Sequence, residues 1–281
     1  MKKIYLVMHQ RKPDTVSIIQ QIVDEMTKSG LQPIAEPWLS SVLPEGFSAL
    51  QYAHEPAQCD AILAIGGDGT FLRANKLALH FDLPLLGLNL GTVGFLSEVE
   101  WEQLGTAFHC LAEGQYTIEN RMLLEARIGE KRFLALNDIV LSRGGYARLI
   151  GLNVSLEGER LDPYIGDGLI LSTPTGSTGY SLSAGGPIVH PKLECIIVTP
   201  ICCHSLQHRP VVTSSSQTIT IELDDNHNQT AQVDVDGQQA VFLSYGEKLL
   251  ITRSRKTARL IHLNPHDFFS TIRIKLAEWS H

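Results

Sequence analysis

Unbroken apolar runs constrain the fold of this chain more than any other feature. The segments 61–65 (AILAI) and 83–88 (LPLLGL) contain no polar side chain, so strands formed by them must be covered on both faces, as in a parallel sheet. The segments 14–29, 71–81 and 100–114 carry apolar residues at helical spacing instead. Strands that alternate with helices predict βαβ units around a parallel sheet.

The pattern changes at about residue 121. Four later segments alternate apolar and polar residues with period two, which indicates hairpins of an antiparallel sheet: 122–142, 149–161, 218–243 and 248–263. We therefore predict an α/β N-terminal domain with a parallel sheet (1–120), carrying the GGDGT motif, followed by a mainly β C-terminal domain (121–262). A last segment (263–281) reads as a helix that packs back on the first domain.

Composition excludes several classes of protein. The chain has 281 residues, 43% hydrophobic and 19% charged, as in ordinary globular proteins. The net charge of −7 argues against binding to nucleic acid by broad electrostatics. No apolar stretch approaches the roughly 18 residues of a membrane span. Five cysteines without CxxC spacing favour reduced, mostly buried thiols, and the prediction is a cytoplasmic protein. No pair of histidines has the spacing of a known metal-binding motif, so we assign no metal role to the histidines.

The GGDGT motif at 66–70 places one carboxylate, Asp68, between glycines after a buried strand. Glycines allow a ligand to approach the backbone closely, and a helix that begins near Phe71 directs its first N–H groups toward an anion. A carboxylate beside phosphates has two chemical uses, as a general base toward a hydroxyl or as a ligand of a bridging metal ion. The alternative is an Asp-Gly turn with Asp68 as helix cap. Neither a P-loop nor a GxGxxG motif after a strand occurs.

A second candidate site is the stretch 166–187, in which two glycine clusters flank many hydroxyl groups. Small hydroxyls and free amides suit recognition of a polar ligand, and Tyr180 can stack on a base. Asp167, before a strand, is a candidate to hold a ribose hydroxyl or a basic ring substituent. The alternative is a hydroxyl-rich surface loop. The pair Asn137 and Asp138, taken alone, is most simply a turn.

Four motifs, in this order, resemble the bacterial NAD kinase family over nearly the whole chain: GGDGT (66–70), LNLGTVGFL (88–96), LND (136–138) and DGLILSTPTGSTGYSLSAGGP (167–187). GGDGT alone is shared with lipid kinases and, in a related form, with phosphofructokinase, whereas the last motif is specific. Two positions depart from the family. Gly179 stands where relatives usually carry alanine, and Ile165 stands where they often carry a basic residue.

The resemblance implies roles for residues of the first domain. Asp68 is the catalytic base, and Gly69 lines the site beside it. Arg73, on the following helix, reaches a phosphate, and Phe95 lies against the adenine of NAD.

The resemblance also implies an NAD site in the second domain. Asn137 and Asp138 bind ribose hydroxyls, which replaces the interpretation as a turn. The other implied contacts, some of them from a neighbouring subunit, are Arg148, Asp167, Thr175, Gly176, Ser177, Thr178, Gly179, Tyr180, Ser183 and Gln238. At Gln238 a plain hairpin turn is an equal alternative.

The implied reaction transfers the γ-phosphoryl of ATP to the 2′-hydroxyl of the adenosine ribose of NAD, giving NADP. A divalent cation, Mg²⁺, neutralises charge on the transferred group, and the implied assembly is a homotetramer or homodimer. Three alternatives share parts of the pattern. A lipid kinase needs an apolar substrate cleft, a phosphofructokinase needs a basic set for a sugar phosphate, and a nucleotide sensor on the same fold needs no catalysis.

Overall fold

The computed structural model describes residues 1–9, 14–43, 47, 50–91, 94–144, 149–161, 163–204, 207–224, 230–263 and 268–278. The chain divides into two compact units. The N-terminal unit contains residues 1–120 and 258–281, and the second unit contains residues 121–257. The predicted domain roles, with GGDGT in the first domain and the NAD site in the second, stay predictions.

The N-terminal unit is built on a parallel sheet with the strand order β5-β4-β1-β2-β3. Its strands are β1 (Lys3–Met8), β2 (Gln32–Ala35), β3 (Gln51–Tyr52), β4 (Ala61–Ile65) and β5 (Leu85–Leu88). Its first helices are α1 (Thr15–Lys28), α2 (Asp68–Phe81) and α3 (Leu104–Glu113), with 3₁₀ turns at Pro37–Ser41 and Trp101–Gln103. Every residue of β4 and β5 is buried, which is why neither strand alternates in sequence.

The helices of this unit bury one apolar stripe each. In α1 the stripe is Ile19, Ile22, Val23 and Met26, at the three- and four-residue spacing that puts side chains on one face. These residues share a core with the apolar face of α3 and with β1 and β4. The predicted helices 14–29 and 100–114 are confirmed, except that 101–103 form a 3₁₀ turn.

The second unit is almost entirely antiparallel β structure. Its strands begin with β6 (Thr117–Ile128), β7 (Lys131–Ala135), β8 (Asp138–Ser142), β9 (Ile150–Leu156), β10 (Glu159–Arg160), β11 (Tyr164–Gly166) and β12 (Gly168–Ser172). They continue with β13 (Cys195–Ile201), β14 (Val211–Ser214), β15 (Ile219–Leu223), β16 (Thr230–Val235), β17 (Gln238–Ser244) and β18 (Leu249–His262). A 3₁₀ turn (Thr175–Thr178) and the short helix α4 (Tyr180–Ser183) lie inside the predicted polar stretch.

Two groups of strands enclose the core of the second unit. One sheet has the order β14-β13-β12-β8-β16-β17, and the other group contains β10-β9-β15-β18. Alternate residues from both groups form one apolar cluster that includes Leu141, Leu171, Val154 and Ile221. The run Cys195–Ile201 does not alternate and was not predicted as a strand. It forms β13, which lies between two neighbours and is buried throughout.

The end of the chain returns to the N-terminal unit. Beyond residue 257, β18 belongs to this unit, where Leu260 pairs in parallel with Leu85 of β5. The last helix, α5 (Phe268–Glu278), follows. Because β4, β5 and the end of β18 run in the same direction, residues that follow them lie at one edge of the sheet. The carboxyl edge of such a sheet is where α/β proteins bind ligands.

The predicted fold class, a parallel α/β sheet followed by mainly β structure, is confirmed. Within the part of the chain that the structure describes, no helix is long and apolar enough to cross a membrane. All five cysteines are free thiols, but only Cys59 and Cys195 are buried, so the prediction that most would be buried is wrong.

Candidate active site

The Asp68 carboxylate belongs to the first residue of α2, directly after the glycine turn. Gly66 adopts a φ of +144° in this turn. The N–H groups of Thr70 and Phe71 both donate to the carbonyl of Gly67, so the first helical turn already contains Asp68. The prediction of a helix start near Phe71 is therefore late. The alternative in which Asp68 caps the helix is wrong, because Gly67 is the N-cap residue.

Two backbone N–H groups hold both oxygens of the Asp68 carboxylate. The amide of Phe95 donates to Oδ2 at 3.1 Å, and the amide of Leu96 donates to Oδ1 at 3.2 Å. Gly94 permits this approach, since a Cβ at that position would lie 2.6 Å from Asp68 Oδ1. The carboxylate is thereby fixed in orientation before any ligand binds.

The residues that bind Asp68 are themselves attached to the parallel sheet. We call residues 94–99 the clamp segment. The N–H groups of Glu98 and Val99 donate to the carbonyl of Gly87 in β5 at 3.2 and 3.1 Å, and the hydroxyl of Ser97 donates to the carbonyl of Gly66 at 3.3 Å. These bonds tie the clamp segment to β5 and to the turn that carries Asp68.

Burial raises the pKa of Asp68 above its ordinary value. The hydrogen bonds from Phe95 and Leu96 and the positive charge of Lys275 oppose this rise, because each favours the ionised carboxylate. Lys275 lies on α5, is only 8% exposed, and has its Nζ 4.0 Å from Glu100 Oε1. A carboxylate with a raised pKa that remains oriented by two donors is a suitable proton acceptor.

The guanidinium of Arg73 contacts residues of the N-terminal unit. Its Nη1 donates to Glu36 Oε1 at 2.8 Å and its Nη2 donates to Glu36 Oε2 at 3.2 Å, with a further bond from Nη2 to the carbonyl of Met8. To contact a phosphate, the guanidinium would have to exchange some of these acceptors. The phosphate-binding role of Arg73 stays a prediction.

In the second unit, Asp236 organises the residues around the Asn-Asp pair. Its carboxylate accepts hydrogen bonds from the N–H groups of Leu136, Asn137 and Asp138 at 2.9, 2.8 and 3.3 Å. Asp236 and Gly237 both have positive φ, as in the tight turn of a two-residue hairpin. The turn predicted before Gln238 therefore exists, and its first residue also shapes the connection between β7 and β8.

The hydroxyl-rich stretch lies directly against this connection. The N–H of Thr173 donates to the carbonyl of Asn137 at 2.9 Å, and its hydroxyl donates to the carbonyl of Leu136 at 2.5 Å. Several predicted ligand hydroxyls are used inside the protein. The Ser177 hydroxyl donates to the carbonyl of Pro174, and the Thr178 hydroxyl donates to the carbonyl of Thr175. Ser177 and Thr178 therefore give the loop its shape, and their contacts to a ligand stay predictions.

Asp138 is buried, and Asn137 has a buried side-chain acceptor. Burial, with the negative charges of Asp236 and Asp234, raises the pKa of Asp138 to about 7. The side-chain Oδ1 of Asn137 is buried and accepts no hydrogen bond. A buried acceptor without a donor is costly, so Asn137 Oδ1 is suited to receive a hydroxyl donor of a ligand.

The other predicted contact residues occupy varied environments. Tyr180 is 48% exposed, Ser183 and Gln238 are also exposed, and Gly176 is buried. A Cβ at Gly69 would meet no atom within 4 Å, so open space surrounds this position. Asp167 forms an ion pair with Arg143 at 3.3 Å. Arg148 lies outside the described residues.

The donor set does not form a metal site of its own. Over the described ranges, no group of three or more His, Cys, Asp or Glu side chains is arranged to hold a metal ion.

Comparison with known proteins identifies the family. The model of the ATP-NAD kinase N-terminal domain matches residues 4–116, and that of the ATP-NAD kinase C-terminal domain matches residues 136–263. The NAD kinase of Geotalea daltonii is 37% identical over 98% of this chain and 98% of its own length. That of Lachnoclostridium phytofermentans is 36% identical over 99% of this chain and all of its own length. The chain belongs to the NAD kinase family.

Solved structures of NAD kinases share this fold. Yeast NADH kinase in complex with NADH matches with a TM-score of 0.86 and 27% identity, over 99% of this chain and 88% of that one. An NAD kinase from Archaeoglobus fulgidus matches with a TM-score of 0.75 and 24% identity over 98% of both chains, which supports the fold alone. The predicted family, and with it an enzyme that phosphorylates NAD, is confirmed.

Four residues near the candidate sites received no binding or catalytic role from the sequence. Asp236 was assigned only to a turn, Lys275 only to a terminal helix, and Arg121 to no role. Arg121 is 6% exposed and its Nη1 donates to the hydroxyl of Thr175 at 3.4 Å. His262, in β18, is flanked by two glutamates. The sequence shows each of these residues only as a polar or charged residue within an apolar or alternating segment. That pattern does not indicate which other residue the side chain contacts.

Replacement of Lys275 by methionine tests its electrostatic effect on Asp68. Because the ammonium charge lowers the pKa of this carboxyl, we expect the Asp68 titration to move to higher pH in Lys275→Met, measured by carboxyl ¹³C NMR. Lys28→Met, which removes an exposed charge paired with Glu25, is the matched control and should leave the titration unchanged. An equal shift in both variants would attribute the effect to net charge.

Gly179→Ala restores the residue that relatives usually carry. The φ of Gly179 is −94°, and a Cβ would lie 3.3 Å from the carbonyl oxygen of Gly176 and 3.7 Å from Asn137 Nδ2. The slight crowding opposes the gain of about 0.4–1 kcal/mol from a stiffer unfolded chain, so we expect nearly unchanged thermal stability and equal or slightly tighter NAD binding. Tyr180→Ala should weaken NAD binding instead. Thermal shift with and without NAD checks both, and strong destabilisation by Gly179→Ala would contradict this geometry.

Proposed function

We propose that this chain transfers the γ-phosphoryl group of ATP to the 2′-hydroxyl of the adenosine ribose of NAD, with Asp68 as the general base. The observation that carries the proposal is the Asp68 carboxylate, which has a raised pKa and is held by two backbone donors at the carboxyl edge of a parallel sheet. The products are ADP and NADP, so the enzyme supplies NADP.

The proposed chemistry needs a base because a ribose hydroxyl is a very weak acid. The 2′-hydroxyl proton passes to the Asp68 carboxylate while the hydroxyl oxygen forms a bond to the γ-phosphorus and the bond to the ADP oxygen breaks. The N–H groups of Phe95 and Leu96 keep both carboxylate oxygens in place during this transfer. Removal of a positioned base of this kind costs about 10²–10⁴-fold in rate.

The binding of NAD is assigned to the connection between β7 and β8 and to the loop beside it. We propose that the carboxylate of Asp138 and the buried Oδ1 of Asn137 accept hydrogen bonds from ribose hydroxyls. Exposed Tyr180 supplies an aromatic surface to the dinucleotide. The yeast relative solved with NADH supports a dinucleotide as ligand.

The donor ATP is assigned to the start of α2. The first N–H groups of a helix favour phosphate, and the glycines of the motif leave the backbone open to it. A divalent cation bound to ATP supplies neutralisation of the charge that develops on the phosphoryl group. Phe95 beside the adenine, Gly69 in the site, Arg73 on a phosphate, and a homotetramer or homodimer are further proposals from the family likeness.

The sequence alone left a lipid kinase and a nucleotide sensor as alternatives, and an activity assay can be set against both. The full-length relatives named NAD kinase support a nucleotide substrate over a lipid. A sensor would bind NAD without turnover. Incubation with ATP, Mg²⁺ and NAD, followed by an NADP-specific cycling assay, separates the three, because only the proposed enzyme forms NADP.

Asp68→Asn removes basicity and keeps the size of the side chain. We expect kcat to fall by about 10²-fold or more, with the Kd for NAD changed by less than about threefold, because the base acts in the transition state. Steady-state NADP formation and calorimetric titration with NAD measure the two quantities. Turnover close to that of the wild type would contradict the assignment of Asp68.

Asp138→Asn separates binding from stability. The raised pKa of about 7 means that ionisation of Asp138 disfavours the folded state increasingly as pH rises from about 4 to about 7. At pH 8 we therefore expect the variant to be more stable than the wild type. Loss of charge-assisted hydrogen bonds, about 1.5–3 kcal/mol, should weaken NAD binding about 10- to 100-fold.

The matched control for this prediction is Asp82→Asn, which makes the same change at an exposed aspartate. Calorimetry at pH 6 and 8 gives NAD affinity, and thermal unfolding gives stability. Wild-type affinity should improve between pH 6 and 8, because more of Asp138 is ionised. Unchanged NAD affinity in Asp138→Asn would show that this residue has a structural role only.

A further inference from the structure

A histidine that is largely shielded from solvent, between two glutamates, lies at the same sheet edge as Asp68. Nε2 of His262, the last residue of β18, is 2.8 Å from Glu119 Oε2, and its Nδ1 contacts Glu98 Oε2. The three side chains are 11%, 16% and 15% exposed respectively. The reaction proposed above gives none of them a role.

Glu98 belongs to the clamp segment, so its side chain joins this segment to the end of β18. Its other oxygen, Oε1, accepts a hydrogen bond from the N–H of Leu263 at 2.6 Å. Glu98 is two residues after Leu96, whose N–H binds Asp68. The clamp segment is therefore fixed on two sides, by backbone bonds to β5 and by the Glu98 side chain to the end of β18.

We propose that His262 is a positioning residue for Asp68, because it fixes Glu98 and through it the clamp segment that orients the catalytic carboxylate. This inference rests on the proposed role of Asp68 as the base. In this inference His262 acts through Glu98 and not on the substrate.

A purely structural role for this triad is the weaker explanation. Buried ion pairs seldom stabilise a protein more than apolar side chains of similar volume, because each charge loses its hydration. An arrangement of one imidazole with two fixed acceptors does specify geometry, since both ring nitrogens have defined partners. Displacements of about 1 Å at a catalytic group can lower a rate by about 10²-fold, so even modest freedom of the clamp segment would be measurable.

The charge state of His262 gives the inference a pH signature. Burial alone would lower the pKa of His262, but the hydrogen bonds and charges of Glu119 and Glu98, the charged groups that face it, raise it to about 9. The group is charged at neutral pH. Its contribution to stability is complete below the ordinary histidine value of about 6.5 and is lost as pH rises through about 9.

His262→Gln tests the inference in the full-length chain. Glutamine carries no charge, and both of its donors belong to a single nitrogen in place of the two ring nitrogens, so we expect kcat to fall about 10-fold with the KM for NAD changed less than about twofold. The wild type should lose activity as pH passes about 9, and His262→Gln should lack this alkaline limb. His262→Lys, which retains a cation, should recover part of kcat and move the limb to higher pH.

Arg259→Gln is the matched control. Arg259 lies on the same strand and pairs with exposed Asp82, and its loss should leave kcat and the pH profile unchanged. A fall of kcat in His262→Gln no larger than in Arg259→Gln would overturn the inference. An alkaline limb retained in His262→Gln would do the same.

A double-mutant cycle separates this inference from the proposed function. If His262 acts through Asp68, His262→Gln should have little further effect on residual turnover in an Asp68→Asn background. Full additivity of the two changes would overturn the positioning role while leaving Asp68 as the base. Near-normal turnover of Asp68→Asn alone would refute the proposed function instead.

Discussion

The geometry of the candidate site depends on the two hydrogen bonds that the clamp segment donates to Asp68. Burial disfavours an ionised carboxylate and raises the pKa of Asp68, whereas the two donors favour the ionised form and oppose that rise. With donors on both oxygens, the group stays oriented while its pKa remains above the ordinary range. Gly94 follows from this arrangement, because any side chain there would displace the carboxylate.

The second unit shows a cost in stability that its proposed function explains. Burial, with the smaller contributions of the negative charges of Asp236 and Asp234, raises the pKa of Asp138 to about 7. Asp236 is compensated by three backbone donors, which explains why it can be buried. A fold selected only for stability would place an amide or an apolar residue at position 138. Such a strained charge is typical of functional sites.

The sequence predicted the local parts of this molecule and missed its long-range pairs. Apolar runs and periodicity were sufficient for the parallel sheet, the hairpins and most helices, and GGDGT identified Asp68, because these signals lie within a few residues of each other. The start of α2 was predicted too late in the chain, because the glycines around Asp68 are not typical of a first helical turn. Three contacts could not be predicted because they join residues far apart in sequence. They are the contacts of Asp68 with the clamp segment, of Glu98 with β18 and of Asp138 with Asp236, and no residue type in the sequence indicates such a partner.

A strand pairing between residues far apart in sequence completes the surroundings of Asp68. Leu85 of β5 pairs with Leu260 of β18, after the chain has passed through all of the second unit. Closing so long a loop costs entropy, although the cost rises only slowly with length, and pairings of this range slow folding. The return of β18 brings His262 to the clamp segment, and α5 brings Lys275 within electrostatic reach of Asp68. The surroundings of Asp68, which include the anchored Glu98 and the charge of Lys275, are therefore complete only once β18 and α5 have joined the N-terminal unit, so the proposed base reaches its final environment only in the folded unit.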